Sequence, residues 1–119
     1  MKNFDVLKKF EKMDSCVKLY VPSTADVDQP ADNTEQTEKV IRKFAELFGG
    51  STCTPAMGAW IAASGKTVIE QTNIVYSYAT EKAIEENLSE VVKLALEICQ
   101  DMGQEAISLE IDGVLHFIK

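Results

Sequence analysis

The chain has 119 residues, 45% of them hydrophobic and 26% charged, which is the usage of one folded domain and excludes a disordered tail or a disulfide scaffold. Its formal charge of -7 disfavours direct nucleic-acid binding, because phosphate recognition draws on clustered Lys and Arg. Cys16, Cys53 and Cys99 are odd in number and widely spaced, which argues against a disulfide framework or a zinc site.

No metal or cofactor is expected. No segment approaches the roughly 18 apolar residues of a membrane span, and the N-terminus lacks an unbroken apolar stretch, so a cytoplasmic protein is expected. The charge is uneven: Lys2, Lys8, Lys9, Lys12 and Lys18 face Asp5, Glu11 and Asp14 near the start, and the remainder is strongly acidic. That acidic surface could mimic nucleic acid, or simply be a solvated face that keeps the protein soluble.

Phe4, Leu7, Phe10 and Met13 recur at helical spacing among lysines, which predicts a short amphipathic N-terminal helix over residues 1–14, ahead of a single domain at 15–119. In Cys16 to Val21 the alternation puts Val17, Leu19 and Val21 on one face of a first strand, which Pro22 ends. Ser23 to Asn33 lacks periodicity and reads as a long surface loop. Asn33 with Gln36, or Asp32 with Glu35, then caps a helix whose stripe is Val40, Ile41, Phe44, Leu47 and Phe48, stopped by Gly49-Gly50.

Gly58 to Ala63 reads as a strand after a polar stretch containing Pro55, with Gly58 permitting a bend or bulge. Ser64-Gly65 turns the chain into a long second arm, Thr67 to Tyr78, that is apolar on both faces. Thr80 caps a second helix carrying Ile84, Leu88, Val91, Val92, Ala95, Ile98, Cys99 and Met102 up to Gly103. Ala106 to Ile111 alternates, Asp112-Gly113 is a two-residue turn, and Val114 to Ile118 returns as a strand.

The resulting order, β-α-β-β-α-β plus a C-terminal hairpin, predicts an α+β, ferredoxin-like split β-α-β fold with two helices on one face of an antiparallel sheet. The other face is then left open. A second copy packed upon it, giving a homodimer or higher oligomer, is the simplest cover.

Val21-Pro22-Ser23-Thr24, Phe48-Gly49-Gly50-Ser51-Thr52, Gly58-Ala59-Trp60, Gly65 to Glu70, Val75-Tyr76-Ser77-Tyr78 and Gln104-Glu105-Ala106-Ile107 together resemble a group of small uncharacterised proteins of phages, plasmids and integrated mobile elements. No activity comes with the resemblance. It implies a context in which small non-enzymatic interaction proteins, including inhibitors of host defence, are common.

Glu70 lies between Ile69 and the apolar stretch ending at Tyr78, where partial burial could make it a general acid or base; the competing reading is a glutamate paired with Lys66 or Arg42. His116 could join a relay only with partners from elsewhere in the fold, and nothing near Cys53 in sequence activates it. Trp60, Tyr76 and Tyr78 with Thr52, Ser23 and Thr24 could line a pocket for a planar ligand, the aromatics otherwise serving as core or dimer interface.

The functional expectation is therefore a homo-oligomeric, non-enzymatic counter-defence inhibitor, anti-CRISPR-like or signal-sequestering, that binds a host protein. The alternatives are a small ferredoxin-like enzyme using Glu70 on a small molecule, and a structural or assembly protein.

Overall fold

The computed structural model describes residues 4–119. Strand β1 (Ser15–Pro22) is followed by a two-stranded ribbon, β2 (Thr24–Ala25) and β3 (Gln29–Pro30), and by helix α1 (Thr34–Phe48). Then come β4 (Thr52–Ile61), β5 (Thr67–Ala79), helix α2 (Glu81–Asp101), β6 (Ile107–Ile111) and β7 (Val114–Ile118). The five long strands form one antiparallel sheet in the order β4-β5-β1-β6-β7. β5 is inserted between β1 and β4, which is the split β-α-β arrangement, and β7 extends the far edge.

Alternation along β1 builds the core. Val17, Leu19 and Val21 are fully buried, and they meet Val75 and Ala79 of β5, Ile107 and Leu109 of β6, Val40 and Phe44 of α1, and Val91, Ala95 and Ile98 of α2. Phe44, fully buried and edge-on to Phe48 at 5.7 Å, is the largest side chain there. Phe44→Ala is expected to cost about 3–5 kcal/mol, read as a lowered urea midpoint at unchanged slope.

Both helices end as the sequence dictates. Thr80 Oγ1 accepts from Ala83 N at 3.1 Å to cap α2, and Gly49, at φ 88°, closes α1 in the left-handed conformation. At the start of α1 the capping acceptor is Asp32, whose Oδ1 receives Thr34 N at 3.0 Å and Thr34 Oγ1 at 2.6 Å. Asn33 turns its amide back to the carbonyls of Val21 and Pro22.

Four expectations need correcting. The predicted N-terminal helix is a single 3-10 turn, Asp5–Leu7, within a wholly exposed segment, and residues 1–3 lie outside the described part. The loop from Ser23 to Asn33 contains the β2–β3 ribbon with Thr24 buried in it. Its tip is tied to the end of α2 by Asp26 N to Met102 O (2.9 Å) and Val27 N to Gly103 O (3.1 Å). Val27 adopts φ 77° to make that contact, an expensive conformation for a β-branched residue. On the other side, any side chain at Gly103 would strike Asp26.

The third correction is that β4 begins at Thr52, not Gly58. Pro55 is tolerated because β4 is an edge strand and its ring faces no ladder partner on the outer side. The fourth is that Gly58 makes no bulge: pairing runs without interruption from Thr52 opposite Tyr76 to Ile61 opposite Thr67, with Gly58 opposite Glu70.

Candidate functional site

In antiparallel pairs, directly opposite residues point to the same side of the sheet. The register therefore divides the sheet. Since Val17, Leu19 and Val21 face the helices, Lys18, Tyr20 and Pro22 face away, together with Thr72, Ile74, Tyr76 and Tyr78 of β5. The same rule brings Gly58, Trp60, Val68 and Glu70 of the β4–β5 hairpin to that open face, and Ser108, Glu110, Leu115 and Phe117 from the other side.

One end of this face is a cavity of about 480 Å³. Tyr20, Pro22 and Thr72 form its floor, Gly58 to Ile61 and Glu70 one wall, and the segment from Gln104 to Ser108 with Phe117 the other. β5 runs on past Pro22, the last residue of β1, so the β4–β5 hairpin reaches over the end of the sheet. Its tip is held there by Ala63 N donating to Glu105 Oε1 (2.9 Å) and by the ion pair between Lys66 and Asp28 (2.9 Å).

Glu70 is the chemical centre of the cavity. Its carboxylate accepts from Ser23 N at 2.9 Å through Oε2 and from Trp60 Nε1 at 3.2 Å through Oε1. Neither expected ion-pair partner is there: Lys66 pairs with Asp28, and Arg42 with Glu38. Two N–H donors, one backbone and one indole, orient this half-buried carboxylate. Gly58, directly across the ladder, adds no side chain, so the space in front of Glu70 stays open.

The other wall is also fixed. Gln104 Nε2 donates to Thr24 O (2.7 Å) and Thr24 Oγ1 (3.2 Å), linking the β2–β3 ribbon to the turn before β6. Tyr20 OH donates to Glu110 Oε1 at 2.8 Å, and burial together with that carboxylate pushes its phenol pKa up. Lys18 pairs with Glu110 at 3.7 Å. Among the fourteen lining residues the charged ones are Glu70 and Glu105, with no Lys, Arg or His. The cavity suits a neutral or cationic molecule and is unsuited to a phosphate.

Of the residues singled out from sequence, Glu70, Trp60, Ser23 and Thr24 come together here, the last through Gln104. Thr52 and Tyr76 pair with each other some 20 Å along the hairpin, at about 3.3 Å per residue. There Tyr76 packs edge-on to Tyr78 beneath Lys18, away from the cavity.

His116 pairs with Leu109 and so points to the helix side of β7, on the opposite face from Glu70. Burial raises the thiol pKa of Cys53, and of Cys16 and Cys99, which makes them poorer nucleophiles. Tyr20, Gly58, Gln104, Glu105 and Phe117 were not singled out for a site. The signal for Tyr20 was present in its alternation against Val17, Leu19 and Val21.

A second groove of similar volume lies between α1 and α2. Its walls are exposed charges that pair across it, Lys39 with Glu97 (2.9 Å) and Lys43 with Glu90 (3.6 Å). The first pair raises the lysine pKa and lowers that of the glutamate. It offers no enclosed polar group and no aromatic surface. Among the described residues no cluster suited to a metal ion occurs, and no helix is long and apolar enough to cross a membrane.

No protein-family model matches the chain, and neither does any curated protein. Solved structures do. A phage SAM lyase in complex with S-methyl-5'-thioadenosine superposes with a TM-score of 0.67 at 20% identity, covering 92% of this chain and 90% of that one. A phage SAM lyase in the apo state gives 0.62 at 21% identity, covering 90% of each chain. These likenesses establish the shared fold, and both structures are of an enzyme. The expectation of a non-enzymatic inhibitor is thereby contradicted, and of the readings made from sequence the alternative of a small ferredoxin-like enzyme agrees better with these neighbours.

Proposed function

We propose that the chain is a small lyase that cleaves S-adenosylmethionine, or a close sulfonium relative, in the cavity around Glu70. The observation that carries this reading is the Glu70 carboxylate, oriented by Trp60 and Ser23 at an aromatic, phosphate-averse cavity. It lies in a fold shared with an enzyme solved with S-methyl-5'-thioadenosine.

The chemistry of the cavity fits. S-methyl-5'-thioadenosine is what remains when the bond from sulfur to the amino-acid chain breaks and its electron pair stays on sulfur. The sulfonium cation then becomes a neutral thioether, so positive charge drains from sulfur in the transition state. Apolar surfaces such as Trp60, Pro22 and Phe117 favour that loss of charge, whereas a carboxylate held against sulfur would stabilise the ground state and slow the step. Glu70 therefore acts on another part of the substrate, as acceptor for a proton or hydroxyl.

The departing four-carbon fragment balances in one of two ways. A neighbouring carbon gives its proton to Glu70 and a double bond forms, or the fragment's own carboxylate closes a ring on the carbon that sulfur leaves. The two products are isomers, which proton NMR tells apart.

Trp60 is the only tryptophan, so its emission reports on the cavity. Titration with S-methyl-5'-thioadenosine is expected to change Trp60 fluorescence saturably, and AMP, which adds a phosphate, is expected to do so far more weakly. No response, together with no heat of binding by calorimetry, would refute the assignment.

The phage or mobile-element setting belongs to the same proposal and is supported by the origin of the neighbours. Three free cysteines are consistent with a reducing, cytoplasmic environment. A homo-oligomer is likewise proposed: Tyr78 on the open face, away from the cavity, is 59% exposed, and a second copy is its cover.

A further inference from the structure

A hydroxyl has one proton and two lone pairs, so whichever group takes its proton decides how it can meet a ligand. Two hydroxyls share the floor of the Glu70 cavity. Tyr20 and Thr72 both face the open side of the sheet, Tyr20 opposite Ile74 and Thr72 opposite Pro22, which makes them diagonal neighbours on adjacent strands.

Both have given their proton to the protein. Tyr20 OH donates to Glu110 Oε1 at 2.8 Å, and Thr72 Oγ1 donates to Val21 O at 2.9 Å. A carboxylate and a carbonyl only accept, so the direction of each bond is fixed. Lys18 holds the Glu110 carboxylate from its other oxygen, at 3.7 Å. Burial, with that carboxylate, pushes the phenol pKa up and keeps the proton on Tyr20.

The other side-chain donors of the cavity are committed in the same way. Trp60 Nε1 donates to Glu70 Oε1. Gln104 Nε2, with two protons, has three acceptors around it: Thr24 O (2.7 Å), Thr24 Oγ1 (3.2 Å) and Met102 O (3.3 Å). Among the described side chains that line the cavity, Ser108 alone keeps a hydroxyl proton without a partner. What the floor leaves for a ligand is lone pairs.

We propose that Tyr20 and Thr72 are specificity-determining residues that read hydrogen-bond donors on a neutral or cationic ligand, so that the cavity selects amino and hydroxyl groups. A ligand donor placed there meets a lone pair. A carbonyl oxygen in the same place meets another oxygen with no proton between them, which costs more than a missing bond. The inference rests on the thioadenosine-type ligand proposed for this cavity, in which such donors have two sources, the 6-amino group of the base and the ribose hydroxyls.

Binding of three ligands, read by Trp60 emission and calorimetry, tests it: S-methyl-5'-thioadenosine, its 6-oxo counterpart and its 2',3'-dideoxy counterpart. At least one counterpart is expected to bind about tenfold more weakly or worse, and the one that does identifies the donor being read. Tyr20→Phe and Thr72→Val keep the shapes and remove the acceptors. In at least one variant S-methyl-5'-thioadenosine should weaken about five- to tenfold while that counterpart is unaffected, so the discrimination collapses. Damage to the fold would weaken both ligands together and lower the melting midpoint. Equal binding of all three ligands, or discrimination that survives in both variants, would overturn the proposal and leave the lyase reading standing. Discrimination without cleavage of S-adenosylmethionine would support the proposal and refute the lyase reading, and failure of all three ligands to bind would refute both.

Discussion

Glu70→Gln is expected to lower kcat/KM for S-adenosylmethionine by about 10²–10⁴, the range supplied by a positioned acid or base, while the protein stays folded. Glutamine has the same shape, but it cannot take a proton. Its amide also sets an N–H group against one of the two donors that hold the carboxylate, Trp60 Nε1 or Ser23 N. Two facing donors repel, so the side chain must tilt as well. Glu70→Asp keeps the charge but withdraws it from Trp60, and an intermediate loss is expected. Steady-state kinetics with a melting curve of each variant checks this, and activity within threefold of the unmodified enzyme would remove Glu70 from the mechanism.

Gly58→Val is expected to abolish turnover, at least a hundredfold in kcat/KM, without loss of stability. Gly58 is in a regular strand, not at a positive φ, and a Cβ placed there meets no atom within 4 Å. Valine suits a strand better than glycine does, and the fold should gain a few tenths of a kcal/mol up to about 1. The new methyl groups stand directly opposite Glu70, about 5 Å away by Cβ spacing in an antiparallel pair. They occupy the space a substrate must enter. A thermal midpoint equal to or above that of the unmodified protein, with activity gone, separates this steric effect from unfolding. Retained activity would place the reaction elsewhere.

The fold was legible because its signals are local and repeated. The alternation of Val17, Leu19 and Val21 fixed β1, the 3.6-residue stripe from Ile84 to Met102 fixed α2, and Asp112-Gly113 fixed the last hairpin. The elements misread were those held by tertiary contacts. β4 extends through a proline and a glycine because β5 supplies the ladder, and the β2–β3 ribbon exists because the end of α2 receives Asp26 and Val27.

The site divided along the same line. Glu70 and Trp60 stood out by residue type and strand position, as did Ser23 and Thr24 by pattern. Gln104 and Glu105, 34 and 35 positions after Glu70, reach the cavity only through the return of the chain along α2. Thr52 and Tyr76 share the hairpin with Glu70 but lie at its other end, a distance that composition cannot reveal. The interaction-protein reading is contradicted by the fold neighbours, which are of an enzyme, and a single carboxylate with a glycine opposite and two N–H donors leaves no linear motif to read in advance.

Incubation of the purified protein with S-adenosylmethionine, followed by chromatography and mass spectrometry over time, tests the central claim most directly. The cavity predicts S-methyl-5'-thioadenosine in amounts many times those of the protein, formed without added cofactor and lost with Glu70→Gln. S-adenosylmethionine recovered intact at micromolar protein, or product formed equally well by Glu70→Gln, would contradict it.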